Sequence, residues 1–88
     1  MIDTLLDKRL IACANMLGSV TSYYRWEGVR EKASEVAVLM KTTTEMAEST
    51  RAFIHQAHSY ECPCVVVWPI SDSSEEYLQW VNDETGLP

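Results

Sequence analysis

Basic residues are scarce in this chain. Seven Lys and Arg stand against thirteen Asp and Glu, a formal net charge of −6. Phosphate recognition needs a positive surface, so this balance argues against nucleic acid as the main partner. No run of about 18 apolar residues occurs, so no segment is expected to span a membrane. The opening residues include Asp3 and Asp7, with no small-residue cleavage pattern behind a basic start, and do not read as a signal peptide. Only three cysteines are present, Cys13, Cys62 and Cys64. An odd set cannot pair fully within one chain, so a secreted disulfide framework is not expected and a cytoplasmic protein is. Cys62 and Cys64 are one residue apart, which is neither the redox spacing nor a two-pair zinc spacing. There is no glycine-rich phosphate loop and no nucleophile with a base at telling spacing, so an enzyme is not expected.

What is present fits a single domain over residues 1–88. The composition, 47% apolar and 23% charged, is that of a globular chain. A chain this short buries a thin core, and association is a common route to further stability.

The apolar pattern predicts the elements. In residues 1–9, Ile2, Leu5 and Leu6 share one helical face. Residues 10–15 read as the start of a strand, which Gly18 and Ser19 break or bulge. From 20 to 27 the residues alternate: Val20, Ser22, Tyr24 and Trp26 on one face, Thr21, Tyr23, Arg25 and Glu27 on the other. Glu27-Gly28 begins a turn, and 34–42 supply a returning strand. Its two faces are both apolar, which predicts a central strand covered on both sides. Thr42-Thr43-Thr44-Glu45 matches a capping box that opens a helix to about Ala57. Met46, Thr50, Phe53, Ile54 and Ala57 form its apolar stripe. The valine-rich run from Cys64 to Trp68 predicts a fourth strand. Ser73-Ser74-Glu75-Glu76 is a second capping box, opening a short helix through Tyr77, Leu78 and Val81 that Gly86 and Pro88 stop. The order is βαββαβ lacking its first strand, an α+β, ferredoxin-like pattern.

The richest chemistry lies in the stretch from His58 to Cys64. His58 follows a helix end, and imidazole is a good ligand for copper and zinc. The plainer reading is a histidine favoured by the helix dipole, worth about 0.3–1 kcal/mol. Cys62 and Cys64, with His58 and Glu61 nearby, have the residue types of a soft-metal site. Their plainer reading is a loop thiol and a small buried hydrophobe. Cys13, in an apolar strand, reads as buried and inert. His55 falls on the polar helix face. Trp26 and Trp80 are able to stack on a ligand, although aromatics at such spacing more often serve a core or an interface.

Five stretches in order resemble the CutA divalent-cation tolerance family. They are Ala12-Cys13-Ala14-Asn15; Thr21-Ser22-Tyr23-Tyr24-Arg25-Trp26-Glu27-Gly28; Ser34-Glu35-Val36 through Lys41-Thr42; His58, Tyr60, Glu61, Pro63 and Pro69; and Tyr77-Leu78-Gln79-Trp80. The resemblance covers nearly the whole chain. It implies a ferredoxin-like fold and a homotrimer similar to the PII signalling proteins, with the hairpin around Gly28 reaching onto neighbouring subunits. It also implies copper, or another divalent cation, bound at His58. Some members add a thiol from an earlier strand and a second histidine just before this one, where this chain has Ala57. Where the family usually has Pro-Gly, this chain has Gly18-Ser19. Family members usually begin with one more strand, in the middle of the sheet. Without it, the 62–69 and 34–42 strands lose a shared neighbour. The expected function is tolerance of divalent metal ions, copper above all, through weak or indirect binding by a homotrimer. A PII-like regulatory or scaffolding trimer that senses a small molecule or docks a partner is the alternative. A redox enzyme using Cys62 and Cys64 ranks behind both.

Overall fold

The computed structural model describes residues 1–57 and 64–86. Five elements follow in order: α1 (Ile2–Asp7), β1 (Cys13–Trp26), β2 (Val29–Lys41), α2 (Thr44–Ala57) and α3 (Glu75–Glu84). The architecture is α+β. β1 and β2 pair antiparallel in register from Cys13 opposite Lys41 to Trp26 opposite Val29. The connection is tight because Glu27 and Gly28 both take positive φ, 50° and 82°. Two successive left-handed residues match the twist of the flanking strands, and glycine takes that backbone without strain.

The returning strand is longer than the pattern predicts, starting at Val29 rather than at residue 34. The charged segment 30–32 lacks an apolar signal and is held by its ladder to β1. The expected irregularity is present. Two residues of β1, Leu17 and Gly18, occupy the space of one on β2, between the Met16–Val38 and Gly18–Ala37 pairs. Gly18 takes φ 98° there. A bulge of this kind bends the strand.

The core sits at the open end of the hairpin. Leu5, Ile11 and Ile54 form a buried cluster, with Leu10, Ala14, Met40, Phe53 and Val65 packed against it. This joins α1, one sheet face and α2. The α2 stripe falls as its spacing predicts, with Thr50 and Ile54 buried and Glu48, Arg51 and His55 exposed, although Ala57 is exposed too. The capping threonine is one residue later than the box predicts. The Met46 amide donates to the Thr43 hydroxyl at 3.3 Å. Thr42 turns away and donates to the Leu10 carbonyl at 2.6 Å, while the single Thr50 hydroxyl proton is shared between that carbonyl at 3.0 Å and the Met46 carbonyl of its own helix at 2.8 Å. The Thr42 hydroxyl thus satisfies a loop carbonyl beside the core, where an unpaired acceptor would be costly. α3 likewise starts one residue late, with Ser74 at its cap and no side-chain bond there.

Two expectations are corrected. The run from Cys64 to Trp68, expected as a strand, forms no ladder among the described residues, and neither do Pro69 and Ile70. Val65 reaches the core, but Val66, Trp68 and Ile70 are exposed. Apolar composition favours a strand, yet a strand needs a hydrogen-bonded neighbour, and the described sheet is β1 with β2 alone. β2 is consequently not a strand covered on both sides, and Val36 and Leu39 lie exposed on its two faces.

The molecule is elongated, 45 × 25 × 20 Å, because the hairpin projects beyond the core. Its radius of gyration is 14.8 Å, where a compact chain of this length has about 12 Å. The accessible surface of 6998 Å² is about a third more than a compact monomer of this mass exposes. Val20, Tyr23, Tyr24, Trp26 and Val29 all lie open along the projecting arm.

α3 is tied down by Arg9, which has positive φ, 59°. Its Nε donates to the Gly86 carbonyl at 2.8 Å and its Nη2 to the Asp83 carbonyl at 2.5 Å. The Gly86 amide returns a bond to the Arg9 carbonyl at 2.8 Å. A guanidinium at a helix C-terminus meets both the free carbonyls and the negative end of the dipole. Arg9→Ala is expected to lower stability by about 2 kcal/mol through loss of these charged bonds. Arg9→Gly loses the same bonds but relieves the left-handed backbone, so it should unfold at a higher denaturant concentration than Arg9→Ala. Equal midpoints in urea titrations of the two variants would contradict this account.

Candidate functional site

The described chemistry gathers where α3 meets the start of β1. Cys13 and Tyr77 face each other, Sγ to hydroxyl oxygen, at 3.6 Å. Tyr77 is the third residue of α3, and the Arg9 latch at the far end of that helix fixes its direction. One turn on, Trp80 lies against the Tyr77 ring, with centroids 5.7 Å apart and planes tilted by 41°. Beside them on the sheet, Lys41 donates to Asn15 Oδ1. Cys13 is half-buried and carries no disulfide. The hydrogen bond with Cys13 first, then burial, then charge on the Cys13 thiolate, all raise the Tyr77 phenol above its ordinary value of 10.0. The pair is a polar clasp between helix and sheet. Cys13 is therefore neither fully buried nor unpartnered, as its apolar surroundings had suggested. Its motif gave no sign of a tyrosine 64 residues away.

Along the outer side of α3 runs a shallow open groove lined by Glu75, Glu76, Gln79, Trp80 and Asp83. Trp80, 41% exposed, is its aromatic lining residue. Trp26 lies at the far end of the hairpin, so the two tryptophans do not meet.

The metal reading rests on His58, which lies outside the described residues together with Glu61 and Cys62. Among the described residues no group of three or more His, Cys, Asp and Glu stands close enough to hold a metal ion. His55 is exposed on α2, and Cys64 is an exposed free thiol at the start of the 64–70 run. Ala57, at the end of α2, offers no donor beside His58. A divalent ion normally takes three or four protein ligands, so His58 alone is a weak anchor.

An antiparallel hairpin with α1 and α2 against one face and α3 clasped to its base fits a ferredoxin-like fold. Residues 1–84 match the model of a family described as CutA1 divalent ion tolerance protein. The chain belongs to that family. It is 37% identical over 82 residues to the divalent-cation tolerance protein CutA of Thermus thermophilus, covering 93% of this chain and 80% of that protein. With the Pyrococcus horikoshii protein of the same name it shares 38% over 85 residues, covering 97% and 82%. The solved structure of the Thermus thermophilus protein superposes with a TM-score of 0.92, across 97% of this chain and 82% of that one, at 35% identity. A solved structure from Archaeoglobus fulgidus, described as a periplasmic divalent cation tolerance protein, gives 0.89 at 35% identity, across 93% and 79%. These relatives are named for tolerance of ions and not for a catalysed reaction.

The clasp has a pH signature. Because the folded Tyr77 pKa is raised, the neutral phenol is the favoured form in the folded chain. Its contribution is complete below pH about 10 and fades as pH rises through the raised value. Cys13→Ala should bring the Tyr77 titration, followed by NMR of the ring carbons, back toward the ordinary value. Its stability should differ from the parent below pH about 10 and converge with it above. An unchanged titration would remove the clasp from consideration.

Proposed function

We propose that this chain serves tolerance of divalent ions, copper above all, as a homotrimer in the cytoplasm that binds the ion weakly through His58 or acts on it indirectly. Family membership is the observation that supports the tolerance role. The excess of accessible surface, together with the exposed aromatic and apolar residues along the arm, supports assembly. Large exposed apolar patches often mark interaction sites. The ligand count supports weak binding, since His58 with no donor beside it at Ala57 leaves most coordination positions to water or to other copies. The free thiols Cys13 and Cys64 support a reducing compartment.

Sedimentation equilibrium is expected to return three times the chain mass. Calorimetric titration with divalent copper, and then zinc, is expected to give saturable heat that His58→Ala abolishes. Identical isotherms for parent and variant would remove His58 from the ion's path and leave an indirect role. Heat absent from both, with the trimer intact, would favour a regulatory or scaffolding trimer instead.

A further inference from the structure

At the base of the hairpin the ladder sorts its side chains into two faces. Ala14, opposite Met40, packs with it on the core beneath α1 and α2. Cys13 stands opposite Lys41, and Asn15 opposite Leu39. Alternation turns these four to the other face of the sheet. α3 reaches that face through Tyr77, whose hydroxyl lies 3.6 Å from Cys13 Sγ. An ammonium, an amide, a phenol and a thiol thus gather around one ladder pair, with Leu39 exposed beside them.

The company that Lys41 keeps sets this group apart. The chain has thirteen Asp and Glu for seven Lys and Arg, so a carboxylate partner for a lysine is not scarce. Lys41 is half-buried, yet it donates to the neutral Oδ1 of Asn15. The ion pair found among the described residues is Arg51 with Glu48, both on α2. Residues 13–19 and 36–41, which make this part of the ladder, contain no Asp or Glu. The carboxylates of α3 are turned aside. A helix advances about 100° per residue, which places Glu75, Glu76 and Asp83 around the groove and Tyr77 away from it, with Trp80 between. A half-buried ammonium whose acceptor is neutral keeps an uncompensated attraction for an anion.

Its neighbours are donors as well. Lys41 has three N–H groups, and Asn15 Oδ1 accepts one of them. With that oxygen taken, Asn15 keeps the two N–H groups of Nδ2. The Tyr77 phenol accepts from the Cys13 thiol and has its own proton to give outward; its raised pKa keeps that proton in place. A carboxylate, with two oxygens that only accept, is the complement of such a set. An apolar flank adjoins it, made by the exposed Leu39 and by the Tyr77 and Trp80 rings, whose centroids are 5.7 Å apart.

We propose that Lys41, Asn15 and Tyr77 bind a small organic carboxylate on this face of the sheet, with its carbon body against the Tyr77–Trp80 pair. The site uses neither His58 nor a divalent ion, so it stands or falls apart from the metal role.

Benzoate is the probe, with acetate and benzylammonium for comparison. Each is titrated into the isotope-labelled full chain at constant ionic strength and followed by NMR. Benzoate is expected to give saturable shifts at the Asn15 side-chain amide and the Trp80 indole N–H. Acetate should move Asn15 with lower affinity and leave Trp80 nearly still. Lys41→Met should weaken benzoate by about tenfold or more, whereas Lys41→Arg keeps most of the affinity. Tyr77→Phe keeps the ring and loses the donor, and should weaken it by about threefold or more. A dispersed amide spectrum confirms that each variant is folded, and Lys41→Gln replaces Lys41→Met if that variant is not. Shifts that grow linearly with concentration, or that are equal in the parent and the Lys41 variant, overturn the site and leave an incidental anion effect. Benzylammonium acting on the same residues as tightly as benzoate also overturns it, and assigns the ligand to the acidic groove.

Discussion

The antiparallel ladder between β1 and β2 is the interaction on which the rest depends. Thirteen paired positions hold two long strands together with no help from a third among the described residues. One end of this ladder is a wall for the core, where Ala14 and Met40 meet Leu5, Ile11 and Ile54. The other end is an arm whose stability comes from backbone bonds, a left-handed two-residue turn and cross-strand pairs. A short chain that puts so many residues into one hairpin has few left for its own interior. The small buried cluster and the large exposed surface are two results of that one allocation.

Around this ladder, polar groups take positions that a larger core would fill with side chains. Thr42 and Thr50 converge on the Leu10 carbonyl, Arg9 gathers the end of α3, and Cys13 meets Tyr77. Each links segments far apart in sequence. α3 in particular buries little beyond Val81 and Thr85, so its placement owes more to these bonds than to apolar area.

Elements with a local signal were legible in the sequence. The α2 stripe from Met46 to Ile54, the turn at Glu27-Gly28 and the break at Gly18 all follow from spacing or from backbone chemistry that few residues tolerate. The five ordered stretches carried the family. What spacing could not give was anything decided by a distant neighbour. The extent of β2 over residues 29–33 is set by its partner strand and not by its charged sequence. The Cys64–Ile70 run has strand composition, but composition supplies no ladder. Both helices start one residue later than their boxes; at α2 this is because the Leu10 carbonyl takes the hydroxyl of Thr42 and leaves the cap to Thr43. The Arg9 latch and the Cys13–Tyr77 clasp pair residues more than sixty positions apart, and no local pattern announces either. His58, the residue the sequence singled out for metal, lies outside the described residues.

The bulge at Leu17 has a geometric result for anything that touches the arm. Over the same stretch of ladder, β1 carries one residue more than β2. Two rails of unequal length stay bonded only by following an arc, so the arm leaves the body curved, with its longer rail outside. A single supernumerary leucine thus acts as a protractor: it sets the angle at which the arm leaves the body.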